Sequence, residues 1–112
     1  MRSYRQWFVA IAIVAVCFLA AAGTAQAQAG ADLFKTKCQM CHGADGAGNS
    51  PMGKKLGTHD FHSPEVQKMT DAQLVEVITK GKDHMPAYGA GKLTAEQIKD
   101  LAAYVRELGK KK

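Results

Sequence analysis

The sequence has little of what builds a large hydrophobic core. Its 112 residues include one Trp, three Tyr, four Phe and three Pro. Residues 28–112 contain only 14 Leu, Ile, Val and Phe, about 16% of that segment. Domains of this size with so few apolar residues commonly need a disulfide, a metal or a cofactor to fold. The composition therefore excludes a large multidomain enzyme and indicates a small domain that needs such help.

The net charge of the sequence is also small. Residues 28–112 carry 13 Lys and Arg against 10 Asp and Glu, a net charge of +3. This small net charge excludes a strongly basic nucleic-acid binder, and it is lower than the net charge of a typical disordered chain. No run alternates apolar and polar residues well enough to predict a strand. The expected fold class is all-α, with short helices and long loops.

The N-terminal segment has the layout of a secretory signal peptide. Two arginines lie in the first five residues, and residues 7–22 follow without a charge. Ala25-Gln26-Ala27 then matches a small-x-small cleavage site. The alternative is an uncleaved membrane anchor, but the apolar run is shorter than the ~20 residues of a usual spanning helix. The sequence predicts a signal peptide at residues 1–27, which would include Cys17, and an exported domain at residues 28–112 in the periplasm.

Local signals predict the helices of the exported part. Ala31–Lys37 is typical of a short helix, and Ser63-Pro64 of a single capped turn. Two capping boxes, Thr70 with Gln73 and Thr94 with Gln97, predict helices over 71–80 and 95–108, ended by Gly81 and Gly109. Glycine-rich residues 43–49, residues 50–63 and residues 82–92 are expected to be irregular.

The segment Cys38–His42 is C-x-x-C-H, the attachment pattern of c-type haem. Two thiols separated by two residues on a helical turn can bond the two vinyl groups on one side of a porphyrin. His42, the next residue, can then offer an imidazole nitrogen to the iron. One covalent haem c would also replace the missing core.

Other chemistry is possible for two cysteines at this spacing. A redox-active dithiol usually accompanies a βαβ pattern, which is absent here. An exported protein could form a disulfide. A zinc site would need His59, His62 or His84, but their spacing does not match a zinc motif.

The exported part resembles the class I c-type cytochromes, in particular the small single-haem bacterial ones. The resemblance covers nearly all of residues 28–112. It rests on Gly30–Phe34 before the attachment motif, Cys41–Gly48, Met85-Pro86-Ala87-Tyr88 and Asp100–Val105. It implies three to five helices wrapped around one haem, with His42 and a methionine as axial ligands to the iron.

Met85 is the predicted sixth ligand, because it precedes Pro86 and matches the family's ligand pattern, while adjacent His84 is the rival. Met40 lies on the side of His42, Met52 lies in the first loop, and core packing is expected for Met69.

The resemblance also suggests roles around the haem. The Pro51 carbonyl is the candidate acceptor for the second ring nitrogen of His42. Tyr88 is expected either to bond a haem propionate or to pack on the ring. Phe34 and Tyr104 are expected to meet where the first and last helices cross.

Because His42 and Met85 would fill both axial positions of the iron, no site is left for a substrate. We therefore predict an electron carrier and not an enzyme. We expect a soluble, monomeric cytochrome that shuttles single electrons between redox proteins and binds neither nucleic acid nor, after cleavage, membrane. The alternatives are a permanent haem subunit of a larger oxidoreductase complex and a ligand-binding sensor. A basic rim is expected to meet acidic patches on the partners; it comprises Lys35, Lys37, Lys80, Lys82 and Lys92.

Overall fold

The regular secondary structure of the described residues consists of helices and one isolated bridge. The structure, a computed structural model, describes residues 2–111 without the side chains of Arg2 and residues 15–24, so the side chain of Cys17 lies outside it. Within these limits the prediction of an all-α fold is confirmed. The helices are α1 (Arg2–Lys37), α2 (Gln39–His42), α3 (Pro51–Leu56), α4 (Pro64–Gln67), α5 (Asp71–Lys80) and α6 (Ala95–Lys110).

Helix α1 is much longer than the predicted Ala31–Lys37, because the alanine-rich segment before it continues the same helix. None of the helices in the described residues is both long and apolar enough to cross a membrane. The C-terminal part of α1 crosses α6 at Gly30, where an added Cβ would lie 2.6 Å from the Asp100 carbonyl oxygen. Beside this crossing the rings of Phe34 and Tyr104 lie 5.3 Å apart, as predicted.

The hydrophobic core is small and lies between the end of α1, α5 and α6. Phe34 and Leu101 are its most deeply buried members, each 1% exposed. Cys38, Met85 and Tyr88 pack against this core as partly buried residues. Three of the candidate functional residues therefore contact the same core. Its other buried members are Phe61, Leu74, Ile78, Ile98, Ala102, Val105 and Leu108.

Both predicted capping boxes are formed, at the first turns of α5 and α6. Gly81 ends α5 as expected, but Gly109 does not end α6, which continues to Lys110. The reason is a tertiary contact. A Cβ at Gly109 would lie 2.8 Å from the Phe61 carbonyl oxygen, so glycine here permits close packing instead of a helix end.

The expectation that residues 50–63 are irregular is wrong for residues 51–56, which form α3. The Ser50 hydroxyl accepts a hydrogen bond from the Gly53 amide at 2.9 Å, and Pro51 occupies the first helical position. Gly57 ends the helix in the left-handed conformation, with φ 67°. The predicted turn at Ser63-Pro64 is confirmed as α4.

Candidate functional site

The C-x-x-C-H segment forms a single helical turn that is hydrogen-bonded to the end of α1. The Cys38 amide donates to the Phe34 carbonyl at 2.9 Å, and the His42 amide donates to the Cys38 carbonyl at 3.0 Å. Because Phe34 is buried, this arrangement fixes the turn to the core. Gly43, with φ 79°, then turns the chain into the next loop.

Cys38 and Cys41 are unpaired and partly buried, so the structure does not form the alternative disulfide. Burial, and secondarily the charge of Cys41, raise the pKa of the Cys38 thiol to about 11. Cys38 is therefore a protonated thiol at neutral pH. The described residues contain no group of three or more histidine, cysteine or acidic side chains placed to hold a metal, so they do not assemble the alternative zinc site.

His42 is held as a neutral imidazole. Its ring lies 4.8 Å from the ring of Phe61, and its Nδ1 atom is buried without a hydrogen-bond partner. Burial, reinforced by the nearby charge of His59, lowers the pKa of the His42 ring. Neutral imidazole is the form that binds a metal.

The structure does not form the expected hydrogen bond between His42 and Pro51. The buried Nδ1 atom of His42 has no partner, and Pro51 begins α3. A carbonyl in the first turn of a helix is directed along the helix axis, toward the amide four residues later. This structure therefore lacks that hydrogen bond, and the role of the Pro51 carbonyl beside a bound haem stays a prediction.

Ser50 and Gly53, which no sequence motif predicted as site residues, join α3 to the C-x-x-C-H turn. The Ser50 hydroxyl donates to the Met40 carbonyl at 2.7 Å and lies 3.1 Å from the Cys41 carbonyl. A Cβ at Gly53 would collide with the Cys41 carbonyl oxygen, so only glycine allows α3 to approach this closely. Ser50-Pro51 repeats the Ser-Pro signal that correctly predicted α4, and this signal could have revealed α3.

Met85 lies partly buried in a tight turn that follows α5. The Met85 amide donates to the Lys82 carbonyl at 2.9 Å, and the Lys82 amide donates back at 3.2 Å. Gly81 begins the turn with φ 75°, and a Cβ there would lie 2.5 Å from the Met85 carbonyl oxygen. Adjacent His84 is exposed. The turn therefore directs Met85, and not its rival, toward the core.

Tyr88 connects the Met85 loop to the C-x-x-C-H turn. Its hydroxyl donates to the Lys37 carbonyl, the residue before Cys38, at 3.0 Å. This contact brings the two halves of the candidate site together. The two roles predicted for Tyr88 beside the haem, a bond to a propionate or packing on the ring, stay predictions.

The remaining sequence candidates have other side-chain contacts or are exposed. His59 Nδ1 lies 3.8 Å from a Glu65 carboxylate oxygen, and His62 Nδ1 lies 2.7 Å from a carboxylate oxygen of Asp60. The side chains of Met40 and Met52 are 74% and 40% exposed, whereas Met69 packs against the core, as expected.

Several known proteins are similar in sequence to this chain. Residues 25–105 match the family profile described as cytochrome c oxidase, cbb3-type, subunit III. The chain is 36% identical over 102 residues to cytochrome c6 of Thermosynechococcus vestitus, and the match covers 88% of each protein. The chain belongs to the c-type cytochromes.

Two further comparisons relate this c-type cytochrome to an oxidase subunit and to a solved structure. It is 38% identical over 87 residues to the cbb3-type cytochrome c oxidase subunit FixP of Azorhizobium caulinodans, covering 77% of the chain but only 28% of FixP. The solved structure of the KustC0563 c-type cytochrome superposes with a TM-score of 0.65 at 35% identity. That match covers 72% of the chain and 98% of the solved chain, which confirms a small all-α cytochrome fold.

Membership of the family establishes electron transfer as the general function and covalently attached haem c as the cofactor. The residues of this cytochrome fit that group. Two unpaired thiols lie on one turn, and a buried imidazole nitrogen beside them has no hydrogen-bond partner among the described residues. A partly buried methionine packs against the same core. Cysteine thiols can attach the vinyl groups of haem c, and imidazole and thioether groups are both ligands that haem iron takes in proteins.

Proposed function

We propose that this chain is a periplasmic single-haem cytochrome that carries one electron at a time between redox proteins. Residues 1–27 would direct export and be removed, and residues 28–112 would form the cytochrome domain. The observation that carries the proposal is the C-x-x-C-H turn, whose thiols are unpaired and whose histidine nitrogen is buried without a partner.

Each residue of the site has a distinct role in this proposal. Cys38 and Cys41 form the two thioether bonds, and His42 and Met85 supply the axial ligands. When bound, haem c provides a one-electron ferric–ferrous couple. The low pKa of His42 keeps the imidazole available as a ligand, and the turn at Lys82 restricts where the Met85 side chain can lie.

Two protein ligands leave no coordination position for a substrate. This arrangement favours electron transfer through the haem edge over catalysis at the metal. It also disfavours the sensor alternative, which requires Met85 to leave easily. Partly buried Met85 is held by two backbone hydrogen bonds within its turn, and its loop is joined to the Cys38 segment by Tyr88.

A second candidate function is a permanent electron-transfer subunit of a larger complex. The similarity to FixP and to the cbb3-type subunit III profile favours it. A permanent subunit should expose a large apolar surface. Among described residues 28–111, the large hydrophobic side chains that are exposed are Met40 and Met52. This small exposed area supports the monomeric carrier.

The proposed partners present acidic patches to a basic rim around the site. The lysines of the predicted rim are all exposed, but they do not contribute equally. Lys80 lies 2.8 Å from a Glu76 carboxylate oxygen, which offsets its charge. Lys37 and Lys82 adjoin functional residues, because Lys37 precedes Cys38 and the Lys82 backbone bonds to that of Met85.

Absorption spectra of the purified ferric protein test the axial ligands. Met85→Ala should remove the weak red band of the iron–sulfur bond, and the potential should fall because a thioether ligand favours ferrous iron. Met52→Ala is the matched control and should retain the band, because the Met52 side chain is already exposed. A band that survives Met85→Ala would show that another residue is the sixth ligand.

A further inference from the structure

Tyr88 occupies the junction between the Met85 loop and the rest of the site. Its amide donates to the Ile78 carbonyl at 3.1 Å, which fixes the loop to α5. Its hydroxyl reaches the Lys37 carbonyl, 51 positions away in the sequence. The ammonium of Lys92 lies 5.6 Å from the centre of its ring. The backbone of Tyr88 thus bonds to α5, whereas its side chain bonds to the segment that precedes Cys38.

The hydroxyl contact has no counterpart elsewhere in the loop. Among the described residues it is the single hydrogen bond between residues 81–93, which contain Met85, and residues 31–43, which contain both cysteines. This bond is exposed to solvent, so its contribution is the modest net value of a hydrogen bond that competes with water. Breaking this bond would separate the two halves of the site without disturbing either capping box.

We propose that the Tyr88 hydroxyl is a latch that holds the Met85 loop closed over the site, which makes Tyr88 a positioning residue for the sixth ligand. This inference rests on the proposed ligation by Met85. In this role Tyr88 acts through the short segment that joins it to Met85.

That segment is stiff enough to transmit the constraint. Two residues separate Met85 from Tyr88, and one of them is Pro86, whose ring fixes its own φ angle and restricts the residue before it. On the other side of Met85, the hydrogen bonds with Lys82 close the turn. Met85 therefore lies between two anchors, and the hydroxyl of Tyr88 is the anchor that reaches the attachment segment.

The binding of added imidazole to the ferric protein tests the latch, because imidazole must displace Met85 when the loop opens. Tyr88→Phe keeps the ring and removes the hydroxyl. Its affinity for imidazole, followed by absorption spectroscopy, should rise about fivefold, the factor for one net hydrogen bond. Tyr104→Phe is the matched control and should leave the affinity unchanged, because the Tyr104 hydroxyl makes no hydrogen bond within the described residues.

A double variant separates the latch from the ligand assignment. With Met85→Ala the sixth position is open, so adding Tyr88→Phe should change imidazole affinity by less than about twofold. Equal affinities of Tyr88→Phe and the unmodified protein would overturn the latch, as would the same rise in Tyr104→Phe. Retention of the iron–sulfur band by Met85→Ala would instead overturn the ligand assignment.

Discussion

Replacing Ser50 with Ala should destabilise the protein more than an ordinary helix cap would. The Ser50 hydroxyl caps α3 through the Gly53 amide and also donates to the Met40 carbonyl within the C-x-x-C-H turn. Loss of a cap costs about 1 kcal/mol. Loss of the hydrogen bond to the Met40 carbonyl costs about 1 kcal/mol more. We expect the free energy of unfolding to fall by about 2 kcal/mol.

Ser63 offers a matched control, because Ser63-Pro64 begins α4 in the same way. Its hydroxyl accepts from the Val66 amide at 3.3 Å, a longer bond, and donates to no carbonyl of the C-x-x-C-H turn. Ser63→Ala should therefore cost only about 0.5 kcal/mol. Urea unfolding of the haem-loaded variants measures both values, and Ser50→Ala should also lower the melting temperature by roughly 10 °C. Equal losses in the two variants would refute the reasoning, because they would show that the bond to Met40 contributes nothing.

Two further predictions concern charge. The Asp60 carboxylate, through its hydrogen bond, raises the pKa of His62, so this contact stabilises the fold fully below the unfolded pKa of about 6.5 and is lost as the pH rises through the folded pKa. The stability difference between the unmodified protein and His62→Gln, measured by urea unfolding, should therefore shrink as the pH rises above about 6.5; a difference that grows would contradict the assignment. Lys82→Glu should slow electron transfer to the physiological partner at low salt more than Lys110→Glu does, because Lys82 adjoins Met85 whereas Lys110 lies 3.5 Å from a Glu107 carboxylate oxygen. Bimolecular rates measured against ionic strength would decide, and equal effects or rates that rise with salt would place the docking surface elsewhere.

The sequence predicts those features that depend on residues close to one another in the chain. The bounds of α5 follow from the Thr70 capping box and Gly81, because both signals act within a few residues. The C-x-x-C-H spacing likewise reveals its chemistry without any tertiary information. The ring contact between Phe34 and Tyr104 could be predicted because each lies on a helix whose partner the family resemblance identifies.

Tertiary contacts account for what the sequence did not predict. Gly53 and Gly109 looked like loop and helix-end residues, yet each allows a close approach, to Cys41 and to the Phe61 carbonyl respectively. The partner of the Tyr88 hydroxyl is a backbone carbonyl, and a backbone group has no signal in the sequence. Ser50 was missed for a different reason, since its Ser-Pro signal was present but lay between glycine-rich segments.

The mass of the purified mature protein tests the central claim most directly. Intact mass spectrometry, followed by peptide mapping, should find residues 28–112 plus one haem, with the haem bound to the peptide that contains Cys38 and Cys41. Cys38→Ala should leave at most one thioether bond on that peptide and little accumulated protein, because the haem is part of the core. A mass equal to that of the bare chain, or haem attached to any other peptide, would contradict the account.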